Sequence, residues 1–302
     1  MKLAVTGTAG QLARALITRG PAQGISVTPV GRPALDLLLP ETIGPALETA
    51  APDIIVNAAA YTAVDAAETD DATAMAVNGD GAGSVAAVAS MLGIPIIQLS
   101  TDYVFDGALD RPYREDDATG PINAYGRSKL AGERAVAAQT DNHVILRTSW
   151  VYGPAGKNFV TTMLRVARTR PRLTIVSDQI GCPTSASDLA DTVFNIAMRL
   201  TRSDDETLRG VVHAVGGGET SWHGFAEAIF AEAHKAGYPD VAVEPIATAN
   251  YPTPARRPPN SRLETNKLME RYGIALPGWR EALPDIVMAI LETDATQRED
   301  MR

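Results

Sequence analysis

Tyr125 and Lys129 stand four residues apart in Tyr125-Gly126-Arg127-Ser128-Lys129, which brings a phenol and an ammonium to one face wherever that stretch is helical. An unperturbed tyrosine titrates near ~10, too high for efficient acid or base work at neutral pH, and a neighbouring cation stabilises the phenolate and lowers that value. Tyr125 is therefore the candidate proton donor and Lys129 the residue that tunes it. Taken alone, this spacing is common on solvated helix faces, so its company decides. Leu99-Ser100-Thr101-Asp102-Tyr103-Val104-Phe105 continues an apolar run that reads as a strand, and the carboxyl ends of strands are where doubly wound sheets bind ligands. Thr101 is placed there to hydrogen-bond a reacting oxygen. A turn or helix cap is the rival reading of both hydroxyls, and for Ser100 the preferred one. A second strand end, Arg147-Thr148-Ser149-Trp150-Val151-Tyr152-Gly153, offers Trp150 as a wall against a sugar ring, with core packing an equal alternative.

A dinucleotide has its own candidate site. Gly7-Thr8-Ala9-Gly10-Gln11-Leu12-Ala13 follows the first apolar run and opens a helical pattern, so the backbone can turn tightly and aim free N–H groups at a pyrophosphate. Ala13 stands where glycine is usual, and a small residue still allows helix and strand to pack closely. The second strand ends at Val30-Gly31-Arg32. An NAD-selective site usually presents a carboxylate at that place, whereas Arg32 presents a guanidinium able to pair bidentately with a 2′-phosphate. NADPH is the expected cofactor, NADH the alternative; a solvated surface arginine is the competing reading. Asp36 and Leu37 are candidates to cradle the adenine, and Asn57-Ala58-Ala59-Ala60 offers small side chains where the cofactor would pass the sheet edge.

These groups require strands that end side by side. Short apolar runs near Leu3–Thr6, Ser26–Val30, Ile54–Asn57, Ile94–Leu99 and Val144–Arg147 alternate with helical stretches, among them Ala72–Leu92 and one from Tyr125 through Ala138. That alternation predicts an α/β fold, a doubly wound parallel sheet of Rossmann type. Residues 1–150 read as the dinucleotide-binding domain, with further sheet contributions from about 151–208. Residues 209–302 read mainly as a smaller substrate-binding lobe, where Pro-bearing connections such as Tyr251–Pro259 interrupt both helix and strand patterns. Thr296–Arg302 reads as a frayed tail.

Composition narrows the class. With 36 acidic against 27 basic residues the net charge is −9, which disfavours broad electrostatic binding to nucleic acid; a phosphate-bearing ligand needs a local site. No stretch approaches the roughly 18 apolar residues of a membrane helix, and the N-terminus lacks a signal-peptide core. A single cysteine, Cys182, suits a reducing compartment, so the expected location is the cytoplasm, and Cys182 reads as a small buried or loop thiol. His143, His213, His223 and His234 show no metal-ligand spacing, and no metal is expected.

Gly7 to Ala13, Val56 to Asp65, Ser100 to Phe105, Tyr125 to Lys129 and Arg147 to Gly153 together resemble the extended short-chain dehydrogenase/reductase family. The likeness continues through Ser177 to Thr184, Thr220 to His223 and Tyr251 to Leu263, and so covers nearly the whole chain. Within that family it is narrowest to the reductases of nucleotide-linked 4-keto sugars. The resemblance implies that Tyr125 protonates the C4 oxygen, that Lys129 lowers its pKa and holds the nicotinamide ribose, and that Thr101 hydrogen-bonds near the reacting centre. It implies substrate contacts at Asp102 and Trp150, and cofactor contacts at Gly10, Gln11, Leu12, Ala59, Ala60 and Thr62, with thymidine and rhamnose as base and sugar. Ala15 departs from the glutamate that some members use to bind magnesium between subunits, which removes the reason to expect that metal. A homodimer stays open.

A sugar-nucleotide dehydratase would share the Tyr-Lys pair but is expected to carry a glutamate after Thr-Asp; Tyr103 stands there, itself a candidate substrate-binding residue, so reduction is the simpler chemistry. An epimerase is disfavoured by the extent of the resemblance. A third reading, a protein that binds the dinucleotide only to regulate a partner, is opposed by the joint presence of Thr101, Tyr125 and Lys129. Arg256 and Arg257 can pair with a substrate pyrophosphate; pinning their own loop to a carboxylate is equally open.

Overall fold

The computed structural model describes residues 1–299, with side chains described to residue 293. Six parallel strands form the central sheet: β1 (Lys2–Thr6), β2 (Ser26–Val30), β3 (Ile54–Asn57), β4 (Ile96–Thr101), β5 (His143–Thr148) and a sixth, Gly210–His213. Across the sheet the order is β2-β1-β3-β4-β5 and then the sixth strand. It is the α/β, Rossmann-type arrangement expected. The chain winds one way from β1 to β2 and the other way from β3 onward, so the switch point lies between β1 and β3, the place where open α/β sheets bind ligands.

Both faces of the sheet are covered. Leu3, Val5, Val56, Ile97 and Leu146 pack on one side against the helices Gln11–Arg19 and Ala186–Leu200. Ala4, Ile55 and Ile96 face Pro40–Ala50 and Gly81–Leu92 on the other. Burial on two faces explains why β3 and β4 read as continuous apolar runs rather than alternating ones. Pro29 is tolerated inside β2 because that strand is at the sheet edge, where a missing N–H costs no ladder bond.

Element boundaries shift in instructive ways. β4 runs two residues later than its apolar core suggests, through Ser100 and Thr101, because its ladder with β5 extends to Thr101 opposite Thr148. The stretch expected as one helix over Ala72–Leu92 is helical but broken by a π turn at Ala76–Asp80. The helix predicted from Tyr125 spans Ala124–Gln139, with Asn123 Oδ1 accepting the Gly126 N–H at 2.7 Å, a cap worth about 1 kcal/mol. The C-terminal helix Trp279–Glu299 continues through Thr296–Glu299, where a frayed tail was expected; the remainder of that stretch, 300–302, lies outside the described residues.

A second body of structure abuts the sheet. Arg172–Val176 pairs in parallel with Ala242–Ile246, and this ribbon packs with the helices Phe159–Ala167, Trp222–Lys235 and Trp279–Glu299 around Phe225, Ile229, Leu283 and Val287. Its elements are drawn from both sides of the sixth strand.

Candidate active site

A hydrogen-bonded chain crosses the carboxyl ends of the strands and leads to Lys129. Thr6 Oγ1 donates to Asn57 Oδ1 at 2.6 Å and accepts the Ala59 N–H at 3.0 Å. Asn57 Nδ2 donates to Gln98 Oε1 at 2.7 Å, and Gln98 Nε2 to the Leu99 carbonyl at 2.9 Å. Lys129 Nζ donates to that same carbonyl at 2.6 Å. Asn57 and Gln98 are buried, so each polar atom must be paired inside the protein. The position of the ammonium is thereby coupled to the backbone after β1 and β3.

Tyr125, Lys129 and Thr101 converge above this chain. Thr101 Oγ1 is hydrogen-bonded to Asp102 Oδ1 at 2.8 Å and accepts the Tyr103 N–H at 3.2 Å; it also neighbours the Tyr125 hydroxyl. Thr101 is thus both the expected cleft hydroxyl and a local turn cap. The rings of Tyr103 and Tyr125 meet edge to face, with centroids 5.9 Å apart. Close approach of the helix is possible because residue 126 is glycine: a Cβ there would lie 2.2 Å from the Tyr103 carbonyl oxygen. Burial and the charge of Asp102 push the Tyr125 phenol above its ordinary value, with the Thr101 hydrogen bond opposing them. Burial also lowers the Lys129 ammonium to about 8, against the pull of Glu133. Burial of the phenol is the largest cause of the rise at Tyr125, and the Lys129 ammonium is engaged with the Leu99 carbonyl. The phenol is held in its proton-bearing state.

The candidate cofactor residues lie at the switch point. Gly7 has φ +85° and its α-carbon faces Ala59, a left-handed turn that favours glycine. Gly10 caps the helix Gln11–Arg19 without a side-chain hydrogen bond, and a Cβ built on it would meet nothing within 4 Å. That helix start, with open space and no acidic residue in its first turn, fits a pyrophosphate. Gln11 is tied down, Nε2 to the Val151 carbonyl and Oε1 to Asn158 Nδ2, both at 3.0 Å. Leu12 turns its side chain into the core, leaving its backbone for the turn. Arg32 is exposed just past β2. Asp36 binds the Leu38 N–H, while Leu37 is buried in the core. Ala59 and Ala60 are half-buried and Thr62 exposed beside them. Residues 59–62 are steadied by a group whose spacing gives no signal, Asn78 in the π turn: it accepts the Tyr61 N–H at 2.8 Å, donates to the Tyr61 carbonyl at 3.0 Å, and donates to Ser128 Oγ at 2.9 Å.

The candidate substrate residues divide. Asp102, which is buried, and Tyr103 both neighbour Tyr125. Trp150, at φ +47°, stacks on Trp222 with ring centroids 3.4 Å apart, so one face is occupied by packing. Arg257 pairs with Asp65 Oδ1 and Oδ2 at 2.9 and 2.8 Å and neighbours Tyr103, while Arg256 is exposed and gives its carbonyl to Asn123 Nδ2 at 2.8 Å. Ser100 is neither turn nor cap: its hydroxyl donates to Glu133 at 2.5 Å, and Glu133 holds buried Arg147 at 2.8 and 2.7 Å. Its strand orientation turns it away from the cleft and into this ion pair. Cys182 is buried, its thiol pushed up to about 11.

The family profile described as RmlD substrate binding domain matches residues 1–291. The dTDP-4-dehydrorhamnose reductase of Sinorhizobium fredii is 50% identical over 291 residues, 96% of this chain and 98% of that protein. The chain belongs to the dTDP-4-dehydrorhamnose reductase family. The enzyme of that name from Burkholderia thailandensis is 48% identical over 94% of this chain and 97% of its own length. Among solved structures, a dTDP-4-dehydrorhamnose reductase from Clostridium acetobutylicum superposes with a TM-score of 0.89 at 35% identity, covering 96% of this chain and all of that one. One from Bacillus anthracis, in complex with NADP, gives 0.88 at 33%, covering 95% and 98%. A Thermus thermophilus UDP-glucose 4-epimerase complexed with NAD, 21% identical, shares the fold at 0.79 and covers 96% of this chain and 99% of its own.

Proposed function

We propose that this protein reduces the C4 keto group of dTDP-4-dehydro-L-rhamnose to dTDP-L-rhamnose with NADPH, in nucleotide-sugar biosynthesis. The observation that carries the reading is the convergence of Tyr125, Thr101 and Lys129 at the carboxyl edge of the sheet, with the phenol held protonated beside Thr101. A carbonyl being reduced needs a proton on its oxygen, and a neutral phenol at that edge can give one. When bound, the nicotinamide supplies the hydride. Gly7, Gly10, Gln11 and Leu12 would present the turn and helix start to the cofactor's pyrophosphate, Ala59, Ala60 and Thr62 would flank it, Arg32 would pair with a 2′-phosphate, and Asp36 and the backbone of Leu37 would border the adenine. Lys129, fixed by the Leu99 carbonyl, would hold the nicotinamide ribose.

Thr101 orients the keto oxygen toward Tyr125, and Asp102, Tyr103 and Trp150 bound the sugar. The smaller lobe carries Arg256 and Arg257 on the diphosphate side. Tyr103 cannot abstract a proton beside the keto group as a carboxylate would, because burial and the Asp102 charge raise its phenol, which supports reduction over dehydration. The same reading carries with it a cytoplasmic protein, monomeric or homodimeric, with no nucleic-acid or membrane partner; among the described residues no helix is long and apolar enough to cross a membrane.

The test is loss of NADPH absorbance with dTDP-4-dehydrorhamnose and other nucleotide 4-keto sugars, run with both cofactors. NADPH consumption is expected, and Tyr125→Phe should keep cofactor affinity while turnover falls by about a hundredfold or more. Binding without turnover in the wild type would sink the reading.

A further inference from the structure

Asp102 is 3% exposed, and only one of its carboxyl oxygens is engaged: Oδ1 meets Thr101 Oγ1 at 2.8 Å, while buried Oδ2 has no hydrogen-bond partner. An ionised carboxyl so placed is poorly solvated, and burial raises its pKa to about 7. Around it lie Tyr125 from the helix Ala124–Gln139, Tyr103 next in the chain, Cys182, and Ser261 from beyond the Pro-rich loop. The Arg257–Asp65 pair stands behind Tyr103, and Glu219 and Arg262 lie beyond Cys182.

The Thr101 hydroxyl has one proton and two lone pairs. The Tyr103 N–H takes one lone pair, which leaves one lone pair and the O–H to join Asp102 and Tyr125. With one proton shared between Tyr125 and Asp102, two arrangements satisfy that count. In one, the phenol donates to Thr101 and Thr101 donates to the carboxylate. In the other, a protonated Asp102 donates to Thr101 and Thr101 donates to a phenolate. They differ by the movement of two protons along one line.

We infer that Asp102 returns a proton to Tyr125 after each turnover, through the Thr101 hydroxyl. This rests on the reductase reading. Hydride addition breaks the carbonyl π bond and leaves its electron pair on oxygen, which takes the Tyr125 proton. The phenolate takes the Thr101 hydroxyl proton as Thr101 Oγ1 takes the proton of the Asp102 carboxyl. The resulting carboxylate is reprotonated from water. Lys129 is engaged with the Leu99 carbonyl, whereas Thr101 Oγ1 is hydrogen-bonded to Asp102 and neighbours the Tyr125 hydroxyl, so the line runs through Thr101.

The experiment compares full-length wild type with Asp102→Asn, which keeps the shape and a hydrogen bond to Thr101 but has no acidic proton to give. Because the acid form of Asp102 is the one that donates, wild-type kcat should fall as pH rises past about 7. In the variant, kcat should drop about tenfold or more, this alkaline limb should vanish, and imidazolium buffer should restore rate in proportion to its concentration. An unchanged kcat, a loss confined to KM, or a persisting limb overturns the relay. Should the variant not fold, Thr101→Ser and Thr101→Val read the same link: serine should keep the limb and valine lose it, and equal behaviour overturns the relay. Absence of wild-type turnover would sink the reductase reading and the relay together, whereas wild-type turnover with an unaltered variant profile sinks the relay alone.

Discussion

Arg257 and Asp65 are 192 residues apart in the chain and joined by two hydrogen bonds of 2.9 and 2.8 Å. The pair latches the Pro-rich loop onto the short helix Val64–Ala67 that follows β3, and Asp65 also accepts the Ala255 N–H at 3.2 Å. The hydrogen bonds from Arg257 hold the Asp65 carboxyl below its usual range, against the effect of burial. Because both side chains are partly exposed, Asp65→Asn should cost only about 1 kcal/mol or less in urea unfolding. Its effect on the site should be larger: released from its counter-charge, Arg257 no longer fixes the loop beside Tyr103, so KM for the sugar nucleotide should rise several-fold with kcat nearly constant. Steady-state kinetics showing an unchanged KM would remove the latch from substrate binding.

Arg32 is exposed past the end of β2, and among the described residues its side chain makes no hydrogen bond or ion pair. Charge-assisted hydrogen bonds contribute about 1.5–3 kcal/mol. Arg32→Ser should therefore reduce kcat/KM for NADPH by about tenfold or more and leave that for NADH nearly unchanged. Parallel losses with both cofactors would assign Arg32 a structural role.

Tyr125, Lys129, Thr101 and the glycine turn were legible because each combines a chemical type with a position at a strand or helix end, and the α/β alternation fixed which ends come together. The groups that hold them in place were not. Gln98 and Asn57 are polar residues within apolar runs, and nothing in their spacing tells that they bond to each other across neighbouring strands. Asn78 acts from a π turn, which an Ala-rich helical pattern conceals. Arg257 offered two partners in sequence, and only the fold brings Asp65 to it. Trp150 was balanced between ligand wall and packing because its stacking partner, Trp222, is 72 residues away on another element.

Glu133 and Arg147 form a buried bidentate pair behind the cleft, each side chain 4% exposed, with the Ser100 hydroxyl on the same carboxylate. Removing one partner leaves the other charged and unpaired in the interior, at a cost of about 3–5 kcal/mol. Glu133→Gln should shift the urea midpoint accordingly. It also takes away the anion that favours the charged form of Lys129, so any limb of the pH profile due to that lysine should move to lower pH. A stability loss below about 1 kcal/mol would mean that water reaches the pair.

His213 is fully buried between Phe105, at a ring-centroid distance of 5.8 Å, and the Glu264 carbonyl, and its Nε2 has no partner. Burial first, and then the charge of Arg147, lower its pKa to about 3. The unfolded chain takes up a proton on this imidazole near pH ~6.5, whereas the folded protein does not until far lower. Between those values the unfolded state binds more protons, so stability is fully present above ~6.5 and is lost as pH falls, by at most about 1.4 kcal/mol per pH unit from this group. His213→Gln should flatten the pH dependence of unfolding free energy between about pH 6.5 and 4 relative to wild type, whatever its absolute stability. Urea unfolding across that range is the measurement, and parallel curves for the two proteins would show that His213 is not the group responsible.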